Sequence, residues 1–271
     1  MTSLKTTAII GTGKNVGKTT CLNALIKGFS NADCCAITSI GYDGEDIDTV
    51  TMRQKPKIYV EKDMVVATAS SLLDLSDASF KMIKTTNVQT PLGYVVIAKV
   101  KKAGHIVLAG PSVLSDLSIL QKDIKDLGVK HLIIDGAFHR MVSSFHSLSD
   151  QVILATGASI SDSIEKIIEV TKTWVSLFDP TRKIDKDKVT KTIDSLIDDE
   201  EALEDAQEGD VIFISKALTN AHANRLIENQ RRITNLTLVC LHPVMCFLDT
   251  ITLKKLSIKK IDVRFLNTTP L

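Results

Sequence analysis

The chain has 271 residues, enough for one large α/β core or that core with a small appendage, and its 44% hydrophobic and 24% charged residues describe an ordinary globular protein. Lys plus Arg total 33 against 32 for Asp plus Glu, a net charge of +1 that excludes the strongly basic balance of a nucleic-acid or anionic-membrane binder, and aromatics at 4% leave little for base stacking. The five cysteines form no CxxC pair, the start MTSLKTTAIIG lacks a charged stretch leading into a long apolar one, and no apolar run approaches the ~20 residues of a membrane span, so a soluble cytoplasmic protein is expected.

Residues 6–10 are a short β-branched run. The stretch GTGKNVGKTT, residues 11–20, follows, and Leu22, Leu25, Ile26 and Phe29 then recur at helical spacing, so the chain begins as strand, loop, helix. Residues 34–40 read as a buried second strand, ended by Gly41 and by the acidic Asp43, Glu45, Asp46 and Asp48. Between residues 57 and 112, two β-rich stretches flank a predicted helix around 74–85. Residues 95–101 and 105–109, joined around 102–104, predict a hairpin that extends one sheet edge with antiparallel strands.

A predicted helix over 113–127 leads through Gly128 to the strand HLIID ending at Asp135, and a further strand QVILAT ends at Thr156 and Gly157. Ile164, Ile167, Ile168, Thr171, Val175 and Phe178 mark the next helix, with Ser161 or Asp162 as its N-cap. Residues 179–209, with Pro180 and the run DDEEALED, read as a charged helical insertion or linker; a solvated surface helix and an acidic docking site are both open there. The pattern resumes with the strand VIFIS, a helix over 220–231, the strand LTLVCLH and a last strand IDVRFLN. The expected fold class is α/β, a mainly parallel sheet with helices on both faces and an antiparallel hairpin extension. Residues 1–178 would be the core that carries the 11–20 loop, 179–209 the insertion, and 210–271 would complete the same domain.

The chemistry is carried by residues 11–20. Backbone N–H groups of a glycine-bearing loop converge on phosphate oxygens, the next helix adds the positive end of its dipole, and a lysine adds a mobile cation. Gly13, Lys14, Asn15, Val16, Gly17, Lys18, Thr19 and Thr20 are therefore the expected ATP-binding set, with Lys18 bridging the β- and γ-phosphates and the Thr19 hydroxyl on Mg²⁺. Asp135 ends an apolar strand and is the expected Walker B carboxylate near the metal, though a strand-ending Asp also serves as a turn former. Asp43, then Glu45, would orient the attacking water or help bind Mg²⁺; the alternative is a solvated acidic turn between Gly41 and Gly44. The catalytic candidates are thus Lys18, Asp43 and Asp135, and the metal candidates Thr19, Asp43, Glu45 and Asp135. His139 and Arg140 have two readings, γ-phosphate sensing or a structural and interfacial role. No N-K-x-D guanine reader follows the late strands, the nearest being SKAL at 215–218 without the Asp, so ATP is favoured over GTP. His242 and Pro243 either border the base or, for His242, satisfy a structural hydrogen bond.

The strict G-x-x-x-x-G-K-[ST] spacing would place its first glycine at Thr12, whereas Gly11 and Gly13 stand on either side. In this GTGKNVGKT resembles the GTDTxVGKT loop of dethiobiotin synthetases. The resemblance implies the branch of P-loop proteins that also holds cobyrinate amidases and septum-positioning ATPases, whose members often act as dimers, and so points to a homodimer as one arrangement. Lys14 is similar to that branch's signature lysine, which reaches the partner's nucleotide, but stands one position later, so a solvated or in-cis phosphate contact remains open beside the trans role.

Beyond the loop, the order of KNVGKTT, TSIGYDGEDID, KPKIYV, ATASSLL, LAGPS, LIIDGAFHR and ILATGASIS resembles the nucleotide-binding subunit of lysine 5,6-aminomutase reactivase. The part after Asp179 matches nothing. The resemblance implies an ATP-binding and ATP-hydrolysing subunit that works with a larger ATPase subunit to restore an adenosylcobalamin-dependent aminomutase. No D-x-H-x-x-G cobalamin motif is present, and a reactivator that only opens its target needs none. Two other classes stand beside this one: a biosynthetic ligase of the dethiobiotin synthetase type, for which no amide-forming or carboxylating constellation is seen, and a non-hydrolysing nucleotide-binding scaffold.

Overall fold

Nine strands of the N-terminal part appear in the computed structural model, which describes residues 3–29, 31–41, 57–136, 149–195, 206–229 and 235–271. In chain order they are β1 (Lys5–Gly11), β2 (Cys35–Ile40), β3 (Ile58–Val60), β4 (Val65–Ala69), β5 (Ser79–Thr90), β6 (Gly93–Lys102), β7 (Gly104–Ile106), β8 (His131–Gly136) and β9 (Gln151–Ala155). Seven pair into one sheet in the order β5-β6-β4-β2-β8-β1-β9. The five from β4 to β9 are parallel, and β6 and β5 add an antiparallel edge. β3 and β7 form a separate antiparallel ribbon.

The parallel strands are near-continuous apolar runs because both faces are covered. Side chains alternate along a strand, so Ile9 and Thr6 of β1 point to opposite faces. On the Ile9 face, Leu22 and Ile26 of α1 (Lys18–Gly28) pack with Ile9, Ile37 and Ile133. On the Thr6 face, Gln121 of α3 (Leu114–Asp126) donates to the Thr6 hydroxyl at 3.0 Å. Leu117, Leu120 and Ile124 of that helix are fully buried, each side chain stabilising the fold by about 2 kcal/mol relative to exposure. Gly128, with φ +78, stops α3 through a bond from its N–H to the Lys125 carbonyl.

The antiparallel edge is present, but its hairpin is not the expected one. The segment predicted as a helix around 74–85 holds only a four-residue α2 (Ser70–Leu73) before it and then β5. β5 turns through Pro91 and Leu92 into β6, with Gly93 at φ +106 and the Thr90 hydroxyl donating to the Gly93 carbonyl. β7 leaves this sheet to pair with β3. The helical reading failed because residues 79–85 are mostly exposed on both faces of an edge strand, so no period-2 pattern marks them.

The described residues divide into two compact units between Asp162 and Ser163. The second unit contains α4 (Ile164–Leu177), β10 (Lys191–Ile193), β11 (Val211–Ile214), β12 (Leu218–Thr219), α5 (Asn220–Asn229), β13 (Thr237–Cys240), β14 (Cys246–Phe247), α6 (Thr250–Ile258) and β15 (Asp262–Phe265). Its main sheet is parallel, in the order β10-β11-β13-β15, and β12 pairs with β14. The strands expected to complete the first sheet therefore form their own, around a core that includes Ile212, Ile214, Leu238, Val263 and Phe265. Alternating strands and helices announce a parallel sheet without saying how many sheets there are.

Three local expectations change in this unit. The cap of α4 is Ser163, whose hydroxyl accepts the Lys166 N–H, rather than Ser161 or Asp162. Residues 180–193 are not helical insertion: Pro180–Arg182 and Lys186–Lys188 are 3₁₀ turns before β10, and Arg182 donates to the carbonyls of Ser176 and Val263. α6 has no counterpart among the expected elements, because its sequence is rich in β-branched residues; Asp249 caps it by accepting the Thr252 N–H at 2.7 Å. Among the described residues, no helix is long and apolar enough to cross a membrane.

Candidate functional site

Residues 11–20 leave the C-terminal end of β1 and open α1, at the edge where open parallel sheets carry ligands. Two left-handed residues shape the loop, Asn15 at φ 58 and Gly17 at φ 94, the latter serving as the N-cap of α1. Glycine takes that conformation without strain, and asparagine tolerates it better than most residues. Val16 is the loop's one buried side chain between positions 12 and 20, at 3% exposure, and Gly13, Lys14 and Asn15 are exposed. Gly11 makes room for it: a Cβ there would stand 2.6 Å from Val16 Cγ2 and 3.3 Å from Lys18 Cγ. The Lys18 stem accordingly lies back over the start of the loop.

The first intrahelical bond of α1 runs from the Cys21 N–H to the Gly17 carbonyl, which leaves the N–H groups of Lys18, Thr19 and Thr20 without partners inside the helix. Among the described residues, the N–H groups of Asn15, Gly17, Lys18, Thr19 and Thr20 bond no acceptor, nor do the Lys18 ammonium or the Thr19 hydroxyl, while Lys14 and Asn15 form the middle of a tight turn. No acidic residue stands in the first turn of α1, so the positive end of its dipole is not offset there. The loop is thus a concentration of donors and positive charge, chemically suited to an anion with several oxygens.

Asp135 lies one strand away. β8 runs parallel to β1 and β2, placing Asp135 opposite Ile9 and opposite Ser39, two residues before the loop begins at Gly11. It is half-buried and hydrogen-bonded or otherwise engaged within the protein. A hydroxyl, a carboxylate and phosphate oxygens fit Mg²⁺, which keeps water and takes few protein oxygens; among the described residues, no three His, Cys, Asp or Glu side chains form a metal cage. Thr19 and Asp135 would be the holding pair. Asp43, Glu45, His139 and Arg140 lie outside the described residues.

Distant segments meet at the same end of the sheet. The Gly41 N–H donates to the Pro111 carbonyl and the Gly110 N–H to the Gly41 carbonyl, both at 3.0 Å, while a Cβ on Gly110 would fall 1.7 Å from the Ser39 carbonyl oxygen. The Ala69 N–H donates to the Ala109 carbonyl, and the Ala109 N–H to the Thr68 hydroxyl, each at 2.9 Å. The segment 107–111 is therefore bonded across the ends of β2 and β4, and Gly41, at the end of β2, stands two residues before Asp43 in the chain. On the other side of the loop, the Thr12 N–H donates to the Ala155 carbonyl at 3.0 Å and the Ser159 hydroxyl to the Lys14 carbonyl at 3.0 Å.

Ser159 and Gly157 carried no role of their own in the sequence reading. Their only signal was a glycine and a serine just past a strand end, in ILATGASIS. His242 is placed plainly: it is fully buried in the second unit, its Nδ1 accepting the Val244 N–H and its Nε2 meeting the Thr269 hydroxyl at 3.0 Å. That is the structural reading, and it removes His242 from any ligand surface. Comparison of the chain with protein-family models, with curated proteins and with solved structures finds no match.

Proposed function

We propose that the chain is a P-loop nucleotide-binding protein that takes ATP with Mg²⁺ at residues 13–20 and hydrolyses it as a switch. The observation that carries this is the loop itself: a run of unpartnered N–H donors opening α1, with Lys18 folded back over it and Asp135 on the adjacent parallel strand. Lys18 would neutralise phosphate charge, the loop N–H groups would orient the phosphates, and Thr19 with Asp135 would hold the metal. Mg²⁺ would supply charge neutralisation on the transferring phosphate. The absence of an N-K-x-D reader favours ATP over GTP.

The narrower reading is a nucleotide-dependent reactivase for an adenosylcobalamin-dependent aminomutase, working with a larger ATPase subunit. Its support is the order of motifs from KNVGKTT to ILATGASIS, several of which meet at one end of the sheet: TSIG with LAGPS through Gly41 and Pro111, and ATASS with LAGPS through Ala69 and Ala109. In such a switch, the ATP and ADP states differ in affinity for the target, and that difference drives release of damaged cofactor. Lys14, exposed on the loop, would meet phosphate in its own subunit or in a second copy.

Two measurements test this. Binding of a fluorescent ATP analogue with Mg²⁺, lost in Lys18→Ala, establishes the nucleotide; a wild-type chain that does not bind overturns the whole reading. Retention of a cobalamin-dependent mutase from native lysate on the immobilised chain in only one of the ATP and ADP states establishes the switch. ATP consumption that requires a small carboxylate instead of a protein would assign the chain to the ligases.

A further inference from the structure

β9 and β1 leave the sheet side by side, Gly11 opposite Ala155, and their pairing continues for one more residue through the Thr12 N–H on the Ala155 carbonyl. The Thr12 hydroxyl lies 3.4 Å from that carbonyl and 3.3 Å from the Thr156 hydroxyl. Past this point the two loops remain in contact at two places. The exposed Ser159 hydroxyl donates to the Lys14 carbonyl at 3.0 Å. At Gly157 the contact is backbone against backbone, since a Cβ there would stand 3.0 Å from the Val16 carbonyl oxygen, 3.3 Å from its carbon and 3.4 Å from Val16 Cα.

Those two carbonyls belong to the peptide planes that carry the N–H groups of Asn15 and Gly17. A trans peptide is rigid and holds its C=O and N–H on opposite sides. Turning the Lys14 oxygen toward Ser159 therefore turns the Asn15 N–H away from the 156–159 segment, and facing the Val16 oxygen toward Gly157 does the same for the Gly17 N–H. Asn15 and Gly17 are also the loop's two left-handed residues. A left-handed non-glycine residue persists where its surroundings hold it, and alternation of such residues is what makes a run of N–H groups concave toward an anion.

We propose that the loop after β9 is a positioning wall for the phosphate loop: Gly157 and Ser159, without touching the ligand, set the direction of the Asn15 and Gly17 N–H groups and thereby the affinity for the triphosphate. This rests on the nucleotide reading above. Thr156 and Thr12 extend the wall back to the sheet, so the phosphate loop is braced on its β9 side by neutral hydroxyls and one close glycine.

The test is a titration of the full-length chain with N-methylanthraniloyl-ATP and Mg²⁺. Ser159→Ala loses one neutral hydrogen bond and is expected to raise Kd roughly five-fold, with the nucleotide-free melting temperature unchanged because Ser159 is exposed. Ser159→Thr keeps the hydroxyl and is expected to restore wild-type affinity. Gly157→Ala forces the Val16 peptide to move and is expected to raise Kd by at least about ten-fold. If Gly157→Ala does not fold, the Ser159 pair decides. Wild-type Kd in Ser159→Ala, or a Thr variant as weak as the Ala variant, overturns the wall while leaving nucleotide binding intact. A wild-type chain that binds no nucleotide removes both.

Discussion

Val16 and Gly11 interlock: the valine side chain fills the space that a Cβ on Gly11 would need, at 2.6 Å from Val16 Cγ2. The displaced leading glycine of GTGKNVGKT is therefore a packing requirement of this loop. Gly11→Ala must push Val16 outward, and the Gly13 carbonyl, 3.1 Å from the same position, blocks the other way. The expected outcome is a loss of nucleotide affinity larger than about ten-fold in the fluorescence titration. Val16→Ala removes two buried methyl groups, and urea unfolding should report a loss of about 2 kcal/mol.

Lys18→Ala separates ligand binding from folding. The ammonium has no partner among the described residues, so the nucleotide-free melting temperature should not change. A charged hydrogen bond to phosphate contributes about 2–3 kcal/mol, so affinity should fall by roughly two orders of magnitude, measured by calorimetry with ATP and Mg²⁺. A variant that binds as tightly as wild type would remove Lys18 from the site.

Asp135→Asn keeps the shape of the carboxylate and removes its charge. With Asp135 opposite Ile9 on the strand that feeds the loop, the loss should fall on the metal. ATP affinity measured in EDTA should be the same in both proteins, and the gain produced by adding Mg²⁺ in wild type should be largely absent in the variant. An equal gain in both proteins would make Asp135 a turn residue.

His242→Ala tests a buried residue that the sequence left between two roles. Its Nδ1 accepts a backbone N–H and its Nε2 meets Thr269, so the ring ties the chain end to the strand β13 side of the second unit. Removing it leaves a cavity and an unsatisfied N–H, together about 3 kcal/mol in urea unfolding. ATP affinity should not change.

What was legible in the sequence follows from where the physics is local. The loop, α1, β1, β2, α3 and β8 were readable because glycine positions, apolar periodicity and a stop at Gly128 are local signals. β5 was misread because its strand state comes from pairing with β6, a partner that its own residues do not announce. The second sheet was misassigned for a related reason: Ile212 or Leu238 would suit the inside of either sheet, and only long-range pairing decides. At the candidate site, Lys18, Thr19 and Asp135 stand out in the sequence as a motif and a strand end. Gly157 and Ser159 do not, since their importance lies in touching Lys14 and Val16 from more than a hundred residues away.

The buried thiols give the chain an alkaline limit. Burial, together with the neighbouring Cys34, pushes the Cys35 thiol from 9.0 up to about 12, and burial pushes Cys246 up to about 12 and Cys240 well above its ordinary value. Below pH 9 both folded and unfolded chains hold these protons, and the thiols favour neither. As pH rises above 9, the unfolded chain releases protons that the native core keeps, so the unfolded state gains and stability falls, for Cys35 and Cys246 until about pH 12. Urea midpoints at about pH 8.5 and 10.5 should therefore differ, and Cys246→Ala, compared at both values, should show a shallower decline than wild type. At about pH 8 a thiol reagent should reach the half-buried Cys21 and Cys34 in the native chain and the other three only after unfolding. Fast native labelling of Cys240 or Cys246 would mean that the core of the second sheet opens well below its unfolding transition.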